Sequence, residues 1–389
     1  MIADMIPLVK SAFVDDVDTR EALADFIRST DRLSMGPQCL AFERAFCEYQ
    51  GCKYAVLMNS GASANLALLQ ALKNMGALKA DDNVGFSAVT WSTNVMPIIQ
   101  MGFNPVPVDV DPTTINVNYQ SLFRVTDTLQ AMFITNAMGM TGDFQYIKPH
   151  CLERGILLLE DNCEALGTER QDGRSGNFGT ASTFSFYVAH HLSTIEGGMV
   201  CTNDHVLADM LRLVRANGWD RNLPPERQQS LRQHHDIGPF DAPYAFYDLG
   251  YNFRPTEITG FLGCNQLAWL PQAIQGRKHV YDELASEVVQ NSDLRSLNTV
   301  QLSAFSPFAF PVLCWGDRQK YLNRFQEAGV EVRPIIGGNM TRQPFYRKYA
   351  RQGYHLPGAD FVHDHGFYFA CRDDFTDSEI AVLKGCLRP

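Results

Sequence analysis

The chain has 389 residues, 45% of them hydrophobic and 20% charged, with a formal net charge of −10. That length suits a large buried core and two domains, and the composition is that of a soluble globular protein. The negative balance argues against a surface built for nucleic acid or anionic membrane, and no apolar run is long enough to span a bilayer.

The opening stretch Met1-Ile2-Ala3-Asp4-Met5-Ile6-Pro7 lacks a basic segment followed by a long apolar core, so no signal peptide and a cytoplasmic location are expected. The ten cysteines are scattered and form no Cys-x-x-Cys pair, which supports neither a zinc knuckle nor a redox motif. Most are expected to be small buried hydrophobes.

In chain order, residues 1–15 read as an arm. Helices are expected over Thr19–Arg28, where Asp16 and Asp18 favour the start, and over Cys39–Tyr49. Tyr54–Met58 is an apolar, β-leaning run. It leads through Asn59-Ser60-Gly61-Ala62-Ser63-Ala64-Asn65 into a helix over Leu66–Asn74. A small-residue turn at a helix N-terminus offers free N–H groups to an anion, although many such turns hold none. Strands follow at Asn83–Ser87, Val106–Val110, Ala131–Thr135, Ile156–Asp161, Ser182–Tyr187 and Met199–Thr202.

Helices are expected over Val206–Ala216 and Thr256–Leu270, the second ended or kinked by Pro271. Between them lie loops and a long polar stretch. From about residue 276 the chain reads as a smaller α/β unit. Its elements are a helix over His279–Val289, a strand near Phe308–Leu313, a helix to Ala328, a strand over Gly329–Pro334 and a last helix over Asp377–Leu387.

Short apolar strands alternating with helices give an α/β fold, with a mostly parallel sheet covered on both faces. The expected division is an arm over 1–15, a large domain over 16–275 and a small C-terminal domain over 276–389. Ligands in such sheets sit at the carboxyl ends of the strands. Trp91 and Asp161 both fall there. Taken alone, Trp91 is equally core or rim packing, and Asp161 equally caps the next helix.

The segment Phe184-Ser185-Phe186-Tyr187-Val188-Ala189-His190-His191-Leu192-Ser193-Thr194-Ile195-Glu196-Gly197-Gly198 carries the strongest signal. It resembles the active-site segment of the sugar aminotransferase family of pyridoxal-phosphate enzymes. There Ser-Phe is followed four residues later by a lysine, and then by Glu-Gly-Gly. In this chain the lysine position holds His190, and no lysine occurs between Lys148 and Lys278. An imidazole cannot form the covalent link a lysine makes with the cofactor, but it moves protons near neutral pH.

The resemblance runs from Met35-Gly36-Pro37 to Gly366-Phe367-Tyr368 and implies the type I fold of pyridoxal-phosphate-dependent transferases, like that of aspartate aminotransferase. It assigns Ala62, Ser63 and Ser185 to the cofactor phosphate and Trp91 to the face of the ring. Asp161 falls to the ring nitrogen and Glu164 to the ring hydroxyl. Asn252, in Gly250-Tyr251-Asn252-Phe253-Arg254-Pro255, falls to the phosphate of a neighbouring subunit, which implies a homodimer with shared sites. Arg221, Arg254, Arg333 and Arg342 are candidates for substrate phosphate or carboxylate, with plain surface arginines as the alternative.

Histidine in place of lysine marks a branch of sugar 3-dehydratases. One type carries an iron–sulfur cluster on cysteines, but residues 202–263 contain none, so the cluster-free type is expected. It implies pyridoxal or pyridoxamine phosphate as cofactor, L-glutamate as amino donor, and a nucleotide-linked 4-keto-6-deoxyhexose as substrate. GDP-4-keto-6-deoxymannose is carried over by similarity. The products are a 4-keto-3,6-dideoxy sugar and ammonia, in deoxysugar biosynthesis for lipopolysaccharide O-antigen. His190 is the implied base, with His191 expected to point to the opposite side. A retained aminotransferase and an inactive cofactor-binding regulator are the alternatives.

Overall fold

A computed structural model describes residues 5–389, so the first four residues of the expected arm lie outside it. Helices α1 (Asp16–Ser29) and α2 (Pro37–Gln50) precede β1 (Tyr54–Met58). Then come α3 (Gly61–Asn74), β2 (Asn83–Ser87), α4 (Ser92–Gln100), β3 (Asn104–Val108) and β4 (Ala131–Thr135). They are followed by α5 (Phe144–Arg154), β5 (Leu157–Asp161), β6 (Ala181–Ser185), β7 (Gly198–Thr202) and α6 (His205–Arg215).

The strands form one seven-stranded sheet in the order β1-β7-β6-β5-β4-β2-β3. From β6 to β3 the pairs are parallel, whereas β7 runs antiparallel to both its neighbours, β1 and β6. The expected mostly parallel sheet is therefore present. Every residue of β4 is buried, and its side chains alternate between two cores: Ala131 and Phe133 join one, Met132 and Ile134 the other. That is what period-two geometry dictates for a strand covered on both faces.

Residues 225–234, within the long polar stretch, form α7 (Pro225–His234), a helix with no buried residue. A correction concerns Pro271. The next helix, α8 (Glu257–Val289), runs unbroken through it and absorbs both helices expected on either side. An interior proline costs about 3 kcal/mol. Leu262, Leu270, Ala273, Val280 and Leu284 of this helix are buried, and burying one such leucine recovers about 2 kcal/mol. The domain division expected at 275/276 falls inside α8.

The remaining elements are β8 (Leu294–Arg295), β9 (Phe310–Cys314), α9 (Arg318–Glu327), β10 (Val332–Arg333), α10 (Pro357–His365), β11 (Gly366–Phe369) and α11 (Asp377–Leu387). A four-stranded antiparallel sheet orders them β8-β9-β11-β10. Thr376 and Glu379 close a reciprocal capping box at the start of α11, which explains why its sequence boundaries were legible. Among the described residues, no helix is long and apolar enough to cross a membrane.

Candidate active site

The site lies where β4, β5 and β6 end and α3 and α4 begin. The turn into α3 is set by Ser60, whose Oγ accepts the N–H of Ser63 at 3.0 Å. The N–H groups of Gly61 and Ala62 belong to the first helical turn and have no carbonyl four residues back. Ala62 is exposed and Ser63 half-buried, so this end of the helix faces open space. Ser185 closes the other side. A Cβ on Gly61 would stand 2.7 Å from the Ser185 Cβ, and one on Gly198 2.2 Å from the Ser60 carbonyl oxygen. Both glycines are required by these close approaches, which bring the start of α3 against the end of β6 and the start of β7.

Asp161 ends β5 and is 4% exposed. Its Oδ2 accepts Nδ2–H bonds from Asn65 at 3.0 Å and Asn94 at 2.7 Å, and its Oδ1 accepts the Cys163 N–H at 2.9 Å. Glu164 is half-buried, and its Oε2 accepts the Met138 N–H at 3.0 Å. Burial pushes its carboxyl up to about 8; the nearby Asp161 charge adds to this and the Met138 bond opposes it. Trp91 stands at the start of α4 with 58% of its surface exposed, a free aromatic face beside the same cleft.

His190 sits at the tip of the segment that leaves β6 and returns as β7. The Phe186 N–H bonds the Gly197 carbonyl at 2.9 Å, and the His190 N–H turns back to the Tyr187 carbonyl at 2.9 Å. Phe308 meets the imidazole edge to face, ring centroids 5.2 Å apart. Arg277 holds the Phe308 carbonyl through Nη1 at 2.9 Å. Burial, followed by the Arg277 charge, pulls the imidazole down to about 4, so it stands as a free base at neutral pH. Its Nδ1 has no hydrogen-bond partner among the described residues.

His191 follows directly and is 4% exposed. It too packs on Phe308, with centroids 6.0 Å apart, and its Nε2 lies 3.2 Å from the Ser306 carbonyl oxygen. The segment is a turn rather than extended chain, so the alternation of side chains does not apply.

The loop bearing Asn252 is tied to the site by the Asn59 N–H, which bonds the Phe253 carbonyl at 2.9 Å. Asn252 and Arg254 are exposed, with Arg254 Nε donating to Asn252 Oδ1 at 2.9 Å. Trp219 links them to Arg221, whose guanidinium lies 4.1 Å from the ring centroid; Arg254 lies 5.7 Å from it. The other two arginine candidates are committed elsewhere. Arg342 binds both carboxylate oxygens of Asp364, at 2.6 and 3.0 Å, and also Asp360, while Arg333 is paired with Glu331. Arg342 and Arg333 are thus paired with carboxylates, and Arg221 and Arg254 lie against an aromatic ring.

A cavity of about 250 Å³ lies behind the His190–His191 turn, bounded by residues 8–16, Arg277 and residues 370–374. Of the sequence-assigned site residues it touches only His190, so it is not the cofactor cleft. Sequence reasoning missed Asn65, Asn94, Arg277 and Phe308. Asn65 ends the small-residue stretch that opens α3 and Asn94 lies three residues beyond Trp91, but nothing in their spacing points at Asp161. Arg277 and Phe308 reach His190 only through long-range packing.

The residues present fit pyridoxal phosphate. A helix N-terminus and Ser185 form an anion cradle, a free aromatic face adjoins it, and a buried carboxylate stands at the floor with Glu164 beside it. The model of the DegT/DnrJ/EryC1/StrS aminotransferase family matches residues 15–387. The GDP-4-keto-6-deoxy-D-mannose 3-dehydratase of Yersinia pseudotuberculosis is 32% identical over 381 residues, 93% of each chain.

Among solved structures, a histidine-to-asparagine variant of GDP-4-keto-6-deoxymannose 3-dehydratase with bound GDP-perosamine matches with a TM-score of 0.90. The identity is 30%, over 98% of this chain and 100% of that one. A structure of a GDP-4-keto-6-deoxymannose 3-dehydratase with a trapped PLP–glutamate geminal diamine matches at 0.88 and 29% identity, over 98% and 100%. The chain belongs to the DegT/DnrJ/EryC1/StrS aminotransferase family and has its pyridoxal-phosphate-dependent transferase fold.

Proposed function

We propose that this protein is a pyridoxamine-phosphate-dependent 3-dehydratase of a nucleotide-linked 4-keto-6-deoxyhexose, with GDP-4-keto-6-deoxymannose as substrate and L-glutamate as amino donor. The observation that carries it is the neutral imidazole of His190 at the tip of the loop where family aminotransferases hold a lysine. The named relatives, which match over nearly the whole chain, support the same reaction.

When bound, the cofactor supplies an amine for the sugar ketone and a ring that takes up electrons. Ser63, Ser185 and the N–H groups of Gly61 and Ala62 bind its phosphate, and Trp91 covers the ring. The Asp161 carboxylate faces the ring nitrogen and favours its protonated state. Glu164, whose carboxyl is raised to about 8 by burial, would contact the ring hydroxyl. His190 accepts a proton at an imidazole nitrogen and, having no amine, cannot recapture the cofactor covalently. The nitrogen would therefore stay on the sugar once the hydroxyl at carbon 3 has departed, and water would replace it at carbon 4, restoring the ketone and releasing ammonia.

Arg221 and Arg254 bind the substrate diphosphate, and Asn252 reaches the partner's cofactor phosphate in a homodimer. The exposure of these three side chains supports a role across a subunit boundary. The enzyme works without an iron–sulfur cluster, which the absence of cysteine from residues 202–263 supports, and in the cytoplasm.

Incubation with pyridoxal phosphate, glutamate and a panel of GDP-, CDP-, dTDP- and UDP-linked 4-keto-6-deoxyhexoses tests the proposal by product mass. A GDP-linked ketose one oxygen atom lighter is expected. A 4-amino sugar identifies an aminotransferase instead, and no turnover across the panel identifies a regulator.

A further inference from the structure

Two carboxamides converge on one oxygen of Asp161. Asn65, 1% exposed, comes from α3, and Asn94, fully buried, comes from α4. Neither amide is free to flip. The Thr183 hydroxyl, on β6, donates to Asn65 Oδ1 at 2.6 Å, which leaves the Asn65 nitrogen side for Asp161. The Thr90 hydroxyl donates to Asn94 Oδ1 at 3.0 Å and is itself 2.6 Å from the Thr135 hydroxyl. A hydroxyl that donates to one partner is free to accept from another, so two chains run in one direction. Thr135 leads through Thr90 and Asn94, and Thr183 through Asn65, and both end on Oδ2. Every donor points toward the carboxylate, and chains so aligned polarise one another.

We propose that Asn65 and Asn94 are positioning residues that fix the Asp161 carboxylate by one oxygen, so that the other is presented to the protonated ring nitrogen of pyridoxal phosphate. The inference rests on Asp161 being the ring-nitrogen partner. Titratable groups facing Asp161 are Glu164 and Cys163, both on its own loop. From α3, α4 and β6 the facing groups are neutral carboxamides and hydroxyls. No cation faces it from these elements; Asn65 and Asn94 are the side-chain donors, both to Oδ2, and the Cys163 N–H is a backbone donor to Oδ1. Hydrogen bonds to a charged group contribute about ten- to a hundredfold to an equilibrium.

The test is a pH titration of the absorbance of bound pyridoxal phosphate in the reconstituted holoenzyme. It compares Asn94→Leu, Asn65→Leu and Thr183→Val, with Asp161→Asn as reference. Loss of a donor lets the carboxylate turn away from the ring nitrogen, which then holds its proton without a fixed anion beside it. The ring nitrogen of the cofactor should then release it at lower pH, its proton affinity falling about tenfold in either asparagine variant. Thr183→Val, which touches no carboxylate atom, should shift the titration in the same direction by about two- to fivefold, because it frees the Asn65 amide to rotate. It carries the test should a leucine variant not fold. A merely structural role would weaken cofactor binding and leave the titration in place. A wild-type titration in the asparagine and threonine variants, with Asp161→Asn displaced, overturns the clamp alone. A wild-type titration in Asp161→Asn as well overturns the assignment of Asp161 itself.

Discussion

The imidazole of His190 and the ring of Phe308 meet edge to face, with centroids 5.2 Å apart and planes inclined at 62°. Arg277 grips the Phe308 backbone from behind and adds a positive charge that disfavours imidazolium. The base is therefore oriented by an aromatic wall and kept neutral by its surroundings, burial being the larger cause.

That arrangement predicts the acid side of the pH–rate profile. A histidine at its ordinary value would lose activity below about 6.5. Here the folded value lies lower, about 4, so kcat/KM should show no inflection near 6.5 and fall only as pH approaches about 4. Arg277→Met removes one of the two depressing influences, so the acid limb should move back up toward 6.5. An inflection near 6.5 in the unaltered enzyme would contradict the neutral-base assignment.

His190→Lys should abolish dehydration, lowering kcat by about a hundredfold or more, the usual contribution of a positioned acid–base group. It should also give a covalent link to pyridoxal phosphate, seen as an absorbance change that persists through gel filtration after borohydride treatment. Retained dehydration in this variant would remove His190 from its role.

Glu164 makes a stability prediction of opposite sign to that of a salt-bridged carboxylate. Its folded value is raised to about 8 from the ordinary 4.5, so between those limits the folded state binds the extra proton and stability falls as pH rises. Glu164→Gln removes the titration. In cofactor-free protein the variant should gain on the parent from pH 5 to pH 8.5 by about 1–3 kcal/mol, allowing for solvent screening of a half-buried group. Denaturant midpoints at the two pH values measure it, and a constant difference would count against the raised carboxyl.

Gly61→Ala should loosen the phosphate cradle. The added methyl would meet the Ser185 Cβ at 2.7 Å and force the helix start and the strand end apart. Overpacking of this kind costs about 1–3 kcal/mol, or about five- to a hundredfold in affinity for pyridoxal phosphate. Equilibrium dialysis with the cofactor would reveal it. Unchanged affinity would mean that the phosphate is held elsewhere.

The parts of this molecule that the sequence made legible are those encoded locally. Ile156-Leu157-Leu158-Leu159 is an unbroken apolar run followed by the carboxylates of Glu160 and Asp161, and a strand buried on both faces reads that way whatever surrounds it. The histidine was found because a short motif fixed its register. What stayed hidden depends on packing between distant segments. Pro271 signals a helix end, yet the buried faces on both sides of it hold one helix together. Asn65 and Asn94 are separated from Asp161 by 96 and 67 residues, and only the folded sheet brings their amides to it. The carboxylates that pair with Arg342, Asp360 and Asp364, lie on α10, and nothing in the sequence assigns them to it.

The central claim is that an imidazole in the lysine's place releases nitrogen instead of installing it. Nitrogen-15-labelled glutamate, supplied with pyridoxal phosphate and GDP-4-keto-6-deoxymannose, tests it most directly. The account predicts that the label appears in free ammonium, one equivalent for each 3-deoxy ketose formed. Label retained at carbon 4 of the sugar would contradict it.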